Sequence, residues 1–198
     1  MSIDINKDYF RMSFRFDKKT PEEFGLTHLN KTSNRYIDVS DNSYWIQRKL
    51  YDFGWGNENG FMRHQNLSFD ELWCLLVESK LEANRYGAAY VILNEYPEEL
   101  LSYLDSLFDN PNNNISDSMK EAFEILGLEE VRNRCETTGK SYEEVNREYE
   151  KWKYVSKRVK EILEDFAPKA IPFPELDENE DLFNWVQTGL HLHKDSTK

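Results

Sequence analysis

From Phe69 onward the apolar residues of this chain recur at helical spacing. Phe69, Leu72, Trp73, Leu76 and Val77 stand at i, i+3, i+4, i+7 and i+8, which draws a wide apolar stripe along one side of a helix. Ser68 precedes the run and Glu71 follows three residues later, so a capping box predicts that the helix begins at Phe69. A second run, Tyr86, Ala89, Tyr90 and Leu93, repeats the spacing. Gly87, Ala88 and Ala89 leave room there for a neighbouring backbone, and Val91 and Ile92 widen the apolar face, which predicts a central helix. Pro97 suits the first turn of a third helix, with Glu98 and Glu99 at the positive end of its dipole. Its stripe is Leu100, Leu101, Leu104, Leu107 and Phe108.

Before residue 67 the period changes to two. Phe10, Met12, Phe14 and Phe16 alternate with Arg11, Ser13 and Arg15, the pattern of a half-buried strand over 8–17. Thr20, Pro21 and Glu23 mark a short helix running to Leu26, and 28–34 reads as loop. Arg35 to Val39 and Tyr44 to Tyr51 read as two strands around the turn Ser40-Asp41-Asn42-Ser43. The second of these also admits a helical reading, because Trp45, Lys49 and Asp52 recur at short helical spacing; strand is preferred. The Gly- and Asn-rich stretch 52–60 is predicted as a loop, with Trp55 between two glycines folding back on the core rather than standing out as a recognition side chain.

Beyond the third helix, 109–114 is a polar loop. Ser118 and Glu121 predict a capping box for a helix carrying Met119, Ala122, Phe123 and Leu126 and closed by Gly127, and Leu128 to Arg134 reads as helix again. Ser141 and Glu144 open the longest helix. Its seam, Tyr142, Val145, Tyr149, Trp152, Ser156, Val159, Leu163 and Phe166, alternates three and four residues; docking across its own domain is favoured over a coiled-coil homo-oligomer through 142–166. Pro168, Pro172 and Pro174 stop it in favour of an extended segment along which Ile171 and Phe173 pack. The acidic run 177–181 then leads a final short helix with Leu182, Phe183, Trp185, Val186 and Leu190, and 191–198 frays. These elements imply an α+β fold in a single domain, 1–198: a small antiparallel sheet from 1–66, a larger helical part over 67–166, and 167–198 as extended segment, short helix and tail.

At 198 residues the chain can bury roughly 70% of its unfolded surface without disulfides. An aromatic content of 14%, with Trp45, Trp55, Trp73, Trp152 and Trp185 spread along it, argues against wholesale disorder. Cys74 and Cys135 have neither metal nor redox spacing and read as separate thiols of a reducing cytoplasm, and no segment looks like a secretory leader or a membrane span. Charge is unevenly spread. Residues 1–66 carry 10 Lys+Arg against 9 Asp+Glu, whereas 67–198 carry 15 against 28, so the acidity belongs to the helical part. Such a surface disfavours direct nucleic-acid or anionic-membrane binding and speeds encounter with a basic protein.

Catalytic motifs are wanting. There is no nucleophile elbow and no glycine-rich phosphate loop, and Asp52-Phe53-Gly54 lacks every other element of a kinase. The loop 109–114 fails the calcium-loop spacing at Pro111, Asn114 and Lys120. His191 and His193 have no third ligand, and His28 and His64 fall in predicted loops, so neither metal nor cofactor is expected. Two function classes remain. One is an acidic cytoplasmic protein that binds a basic partner as an inhibitor, antitoxin-like protein or toxin-immunity protein, read through Trp55, Glu71, Glu78, Glu82, Glu98, Glu99 and Asp105. The other is a hydrolase-type enzyme with a carboxylate/His site at the sheet-helix junction, involving residues such as His64. A nucleic-acid mimic is a third possibility.

Overall fold

The computed structural model describes residues 3–13, 19–30, 34–52, 57–109, 114–130 and 139–166. The chain divides into two compact units, Met1–Leu163 and Glu164–Lys198, and the architecture below is that of the first. It is α+β. Five antiparallel strands, β1 (Phe10–Met12), β2 (Leu26–His28), β3 (Arg35–Asp38), β4 (Ser43–Asp52) and β5 (Asn57–Arg63), form a sheet of order β1-β5-β4-β3-β2. The helices α1 (Phe69–Glu78), α2 (Glu82–Glu95), α3 (Pro97–Asp109), α4 (Asp117–Ile125) and α5 (Tyr142–Phe166) follow. The predicted extended segment and final helix, 167–198, lie outside the described residues, as do Trp55 and Cys135.

Residues 44–51 are strand, paired with β3 on one side and β5 on the other. Asn42, at φ 56, takes the left-handed turn position that asparagine tolerates. The predicted loop over 52–60 is corrected: Asn57 to Gly60 begin β5. NENGFMR has no apolar alternation to announce a strand; pairing with β4 and β1 on its two edges supplies the backbone partners that hold it. Gly60 sits where a Cβ would come within 2.8 Å of the Arg11 carbonyl oxygen and 2.6 Å of Leu50 Cδ1. Thr20 and Glu23 do exchange capping bonds, but only a 3-10 turn, Glu22–Phe24, results. Gly25 ends it in the left-handed region, and Leu26 and His28 pass into β2 rather than helix and loop.

Every Ser-x-x-Glu start except one stands as expected. Ser68 and Glu71 form the full capping box of α1, and Ser141 and Glu144 do the same before α5. For α4 the cap is Ser116, whose hydroxyl accepts from the Met119 N–H, so Ser118 lies inside the helix. Its far end is closed by Gly127 at φ 59. The Gly127 N–H donates to the Glu124 carbonyl and the Leu128 N–H to the Phe123 carbonyl, a Schellman stop with buried Leu128 as its apolar partner. Residues 128–130 are therefore turn and bend, not the predicted new helix; 131–134 fall outside the described residues.

The principal core joins the helices to one sheet face. It gathers Phe10, Met12 and Leu50 from the sheet with Leu72, Leu75, Leu76, Val91, Ile92, Leu100, Leu104, Phe123, Trp152, Val155 and Val159. The middle of the α5 seam thus packs into its own core, while Tyr142 at its start is 84% exposed. In α2 the deepest side is not the tyrosine stripe. Asn84, Gly87, Ala88, Val91 and Ile92 are buried, and Tyr86, Tyr90 and Leu93 flank them half-buried. The cause is steric: a Cβ on Gly87 would fall 2.3 Å from Phe10 Cγ, so the phenyl ring of β1 lies on the bare helix backbone.

Asn84 beside it makes a polar clamp. Its Oδ1 accepts from the Tyr9 and Phe10 N–H groups at 3.0 and 3.2 Å, and its Nδ2 donates to the Lys7 carbonyl and Ser79 Oγ at 2.9 and 3.1 Å. Ser79 Oγ in turn donates to the Ile5 carbonyl. Asn84→Ala would strand these buried groups together, and urea denaturation should show a loss of about 3 kcal/mol. Gly87→Ala gains about 1 kcal/mol in helix propensity, yet a net loss of roughly 1–3 kcal/mol is expected from overpacking against Phe10.

Candidate functional site

α2 crosses the sheet over β1 and β4, and where it ends the helix-facing surface of the sheet opens into a cleft of about 460 Å³. The pleat selects its floor. Ile46 and Arg48 are two apart on β4, hence on one face, and Met62 of β5 lies opposite Ile46 in register. One wall is the segment His64-Gln65-Asn66-Leu67 leading from β5 towards α1; the other is the end of α2, with Val91, Glu95 and Tyr96. Tyr96 fixes that corner by donating its hydroxyl to the Leu67 carbonyl at 2.9 Å. Arg48 bridges sheet and helix through an ion pair with Glu95, and its other terminal nitrogen approaches Met62 Sδ at 3.5 Å. A smaller recess of about 210 Å³ adjoins, lined by Leu29, Arg35, Tyr44, Trp45, Ile46 and His64. Ile46 and His64 border both.

The opposite face of the sheet carries a separate small core of Leu26, Tyr36, Trp45 and Phe61 with Phe24, and a charged assembly covers it. The guanidinium carbons of Arg11 and Arg63 lie 4.4 and 5.0 Å from the Trp45 ring centroid, within cation–π range. Arg11 pairs with Asp38 at 2.8 Å and donates to the Phe24 carbonyl; Arg63 pairs with Asp41 at 2.8 Å and donates to the Asp8 carbonyl. Burial alone would raise the Asp38 pKa, but hydrogen bonds from Ser40 and the Arg11 contact together hold it below the ordinary carboxylate value. Hydrogen bonding from Ser43 and then Arg63 holds Asp41 well below that value. Each charge here is matched, so the assembly locks the strands rather than offering reactive groups.

The acids singled out by sequence are distributed over three helices. Glu71 and Glu78 lie on α1, Glu82 at the start of α2, and Glu98, Glu99 and Asp105 on α3. Glu71 is engaged by Ser68, Glu98 pairs with Lys140 at 2.6 Å and Asp105 with Lys151 at 3.0 Å. Glu78, Glu82 and Glu99 are exposed. The cleft residues Ile46, Arg48, Glu95 and Tyr96 were missed, because their convergence depends on where α2 ends over the sheet. His64, named as a junction residue, does line the cleft. Cys74 is half-buried, and burial, then the neighbouring Glu78, pushes its thiol pKa up, the reverse of what an activated nucleophile needs. Among the described residues no group of three or more His, Cys, Asp or Glu is placed to hold a metal ion, and no helix is long and apolar enough to cross a membrane.

The Asp38 lock has a pH signature. A carboxyl whose folded pKa is depressed contributes stability above its unfolded value, about 3.9, and loses it as pH falls through the folded one. Asp38→Asn should therefore cost roughly 2 kcal/mol near neutral pH, and urea titrations of parent and variant should begin to approach each other as pH falls below about 4 and meet once it passes below the folded pKa.

No protein-family model matches the chain, and neither do the curated proteins nor the solved structures compared with it, so its function rests on the chemistry of its own surfaces.

Proposed function

We propose that the protein is a non-catalytic binding protein that recognises a basic protein partner through the outer side of its helical part, in the manner of an inhibitor, an antitoxin-like protein or a toxin-immunity protein. The observation that carries this reading is the charge division: 15 Lys+Arg against 28 Asp+Glu over 67–198. Its physical basis is that one sign of charge concentrated on one part of a fold raises the encounter rate with the opposite sign and repels like-charged competitors. Because Glu71, Glu98 and Asp105 already serve contacts within the fold, the reading falls first on Glu78, Glu82 and Glu99. A cytoplasmic setting accompanies the proposal, as the compartment where such a partner would be met.

The second reading, a hydrolase-type enzyme, has a location in the junction cleft, where His64 and Glu95 both stand. It ranks lower because Glu95 is paired with Arg48 and the Tyr96 hydroxyl is committed to the Leu67 carbonyl. A nucleic-acid mimic is a third possibility, tested by competition with DNA for a DNA-binding protein.

The test is capture from the native cell by the immobilised full chain at low salt. A basic protein should be retained, its affinity falling roughly tenfold or more between low and high salt. The triple variant Glu78→Lys/Glu82→Lys/Glu99→Lys should weaken retention by a similar factor. Binding indifferent to both changes would remove the electrostatic reading, and loss of a hydrolytic activity on His64→Ala would install the second.

A further inference from the structure

We propose that the groove at the sheet-helix junction is a binding site for a small organic carboxylate with an apolar body, an aryl- or alkyl-carboxylate. This site is separate from the acidic helical surface and has the opposite electrostatic character. In a chain of net charge -12, the charged residues lining the two recesses are Arg35, Arg48 and Arg63 against Glu95. The Arg63 guanidinium is turned to the other sheet face, over Trp45, which leaves Arg48 as the cation of the cleft and Arg35 at the rim of the smaller recess.

The two recesses differ in chemistry and share Ile46 and His64 in their linings. At one end Leu29 and Tyr44, 43% and 54% exposed, stand with Ile46 around an apolar hollow. At the other end is Arg48. Two residues on one strand face lie roughly 7 Å apart, so Ile46 and Arg48 set the separation that a ligand's apolar body and its anionic group must match. Apolar contact at one end and a fixed ion at the other is the usual division of labour in small-molecule sites.

Arg48 has capacity to spare. A guanidinium presents five N–H donors, and among the described residues one terminal nitrogen serves Glu95 while the other meets the Met62 thioether at 3.5 Å. Sulfur of this kind is a weak acceptor. A carboxylate oxygen arriving from the groove would replace it with a charge-assisted hydrogen bond. His64, Gln65 and Asn66, all exposed along the wall, supply further polar groups around such a head. Glu95 is the opposing element: it holds the guanidinium in place and also repels a second carboxylate, so it should limit affinity rather than supply it.

The probe is 3-phenylpropionate, titrated into the full chain and followed by backbone amide NMR shifts, with 3-phenylpropan-1-ol and acetate as controls. Saturable shifts are expected at Ile46, Arg48, His64 and Asn66 with a Kd on the order of 1 mM. The alcohol, lacking the charge, and acetate, lacking the apolar body, should each bind about tenfold more weakly. Arg48→Met should abolish the shifts and Glu95→Gln should strengthen binding about threefold or more; the same spectra report whether each variant is folded. Should Arg48→Met fail to fold, Arg48→Lys, which keeps the charge but loses the planar fork, should weaken binding several-fold instead. Absence of saturable shifts at about 10 mM probe, equal binding of the alcohol, or weaker binding by Glu95→Gln would overturn the assignment without touching the partner reading of the helical surface.

Discussion

Asn84 is the point on which the rest of this fold turns. β1 contributes three residues, Phe10–Met12, and pairs only with β5 along one edge, too short a segment to be placed by pairing alone. Asn84 completes the placement by accepting the Tyr9 and Phe10 N–H groups and donating to the Lys7 carbonyl, so a side chain of α2 supplies the polar partners that a neighbouring strand would otherwise provide. Such a group is costly when unmatched in a low-dielectric interior and strongly orienting when matched. Gly87, one turn on, lets Phe10 sit directly on the helix. Together they set where α2 lies on the sheet.

That placement has consequences at both ends of α2. Towards its start, Arg85 donates to the Leu76 carbonyl at the end of α1 and pairs with Glu121 of α4 at 2.9 Å, tying three helices into one layer. Towards its end, Glu95 meets Arg48 and Tyr96 reaches Leu67. Beyond Tyr96 the chain turns into α3, and among the described residues the helix-facing side of the sheet is left as the groove around Ile46 and Arg48. The groove is thus a by-product of helix length measured against sheet width. The far face of the sheet, by contrast, is closed by its own charges, with Arg11 and Arg63 laid over Trp45 and held by Asp38 and Asp41.

The molecule therefore presents two surfaces of unlike character. Acidic side chains stand outward on the helices while apolar ones hold the layer together, and some of the acids are spent within it: Lys140 lies between Glu98 and Glu148, and those contacts raise its pKa. The groove brings Arg35 and the Glu95-paired Arg48 together with the exposed Leu29 and Tyr44.

What the sequence by itself determined is local. Capping at Ser68 and Ser141, the left-handed stop at Gly127, Pro97 at the head of α3 and the alternation around Phe10 each depend on neighbours within a few residues, so the spacing of residue types carries them. The α+β class follows from the change of period near residue 67. Only the tertiary structure decided the rest. Asn-Glu-Asn-Gly becomes strand because β4 pairs along it and β1 reaches its Gly60. α2 turns its Gly-Ala-Asn side inward because a phenyl ring and three backbone partners from the distant N-terminal segment await it there. Arg48 and Glu95, 47 residues apart, meet for the same reason. Long-range polar matching and close steric approach leave no periodic trace in a single chain, and in this protein they are what place the groove.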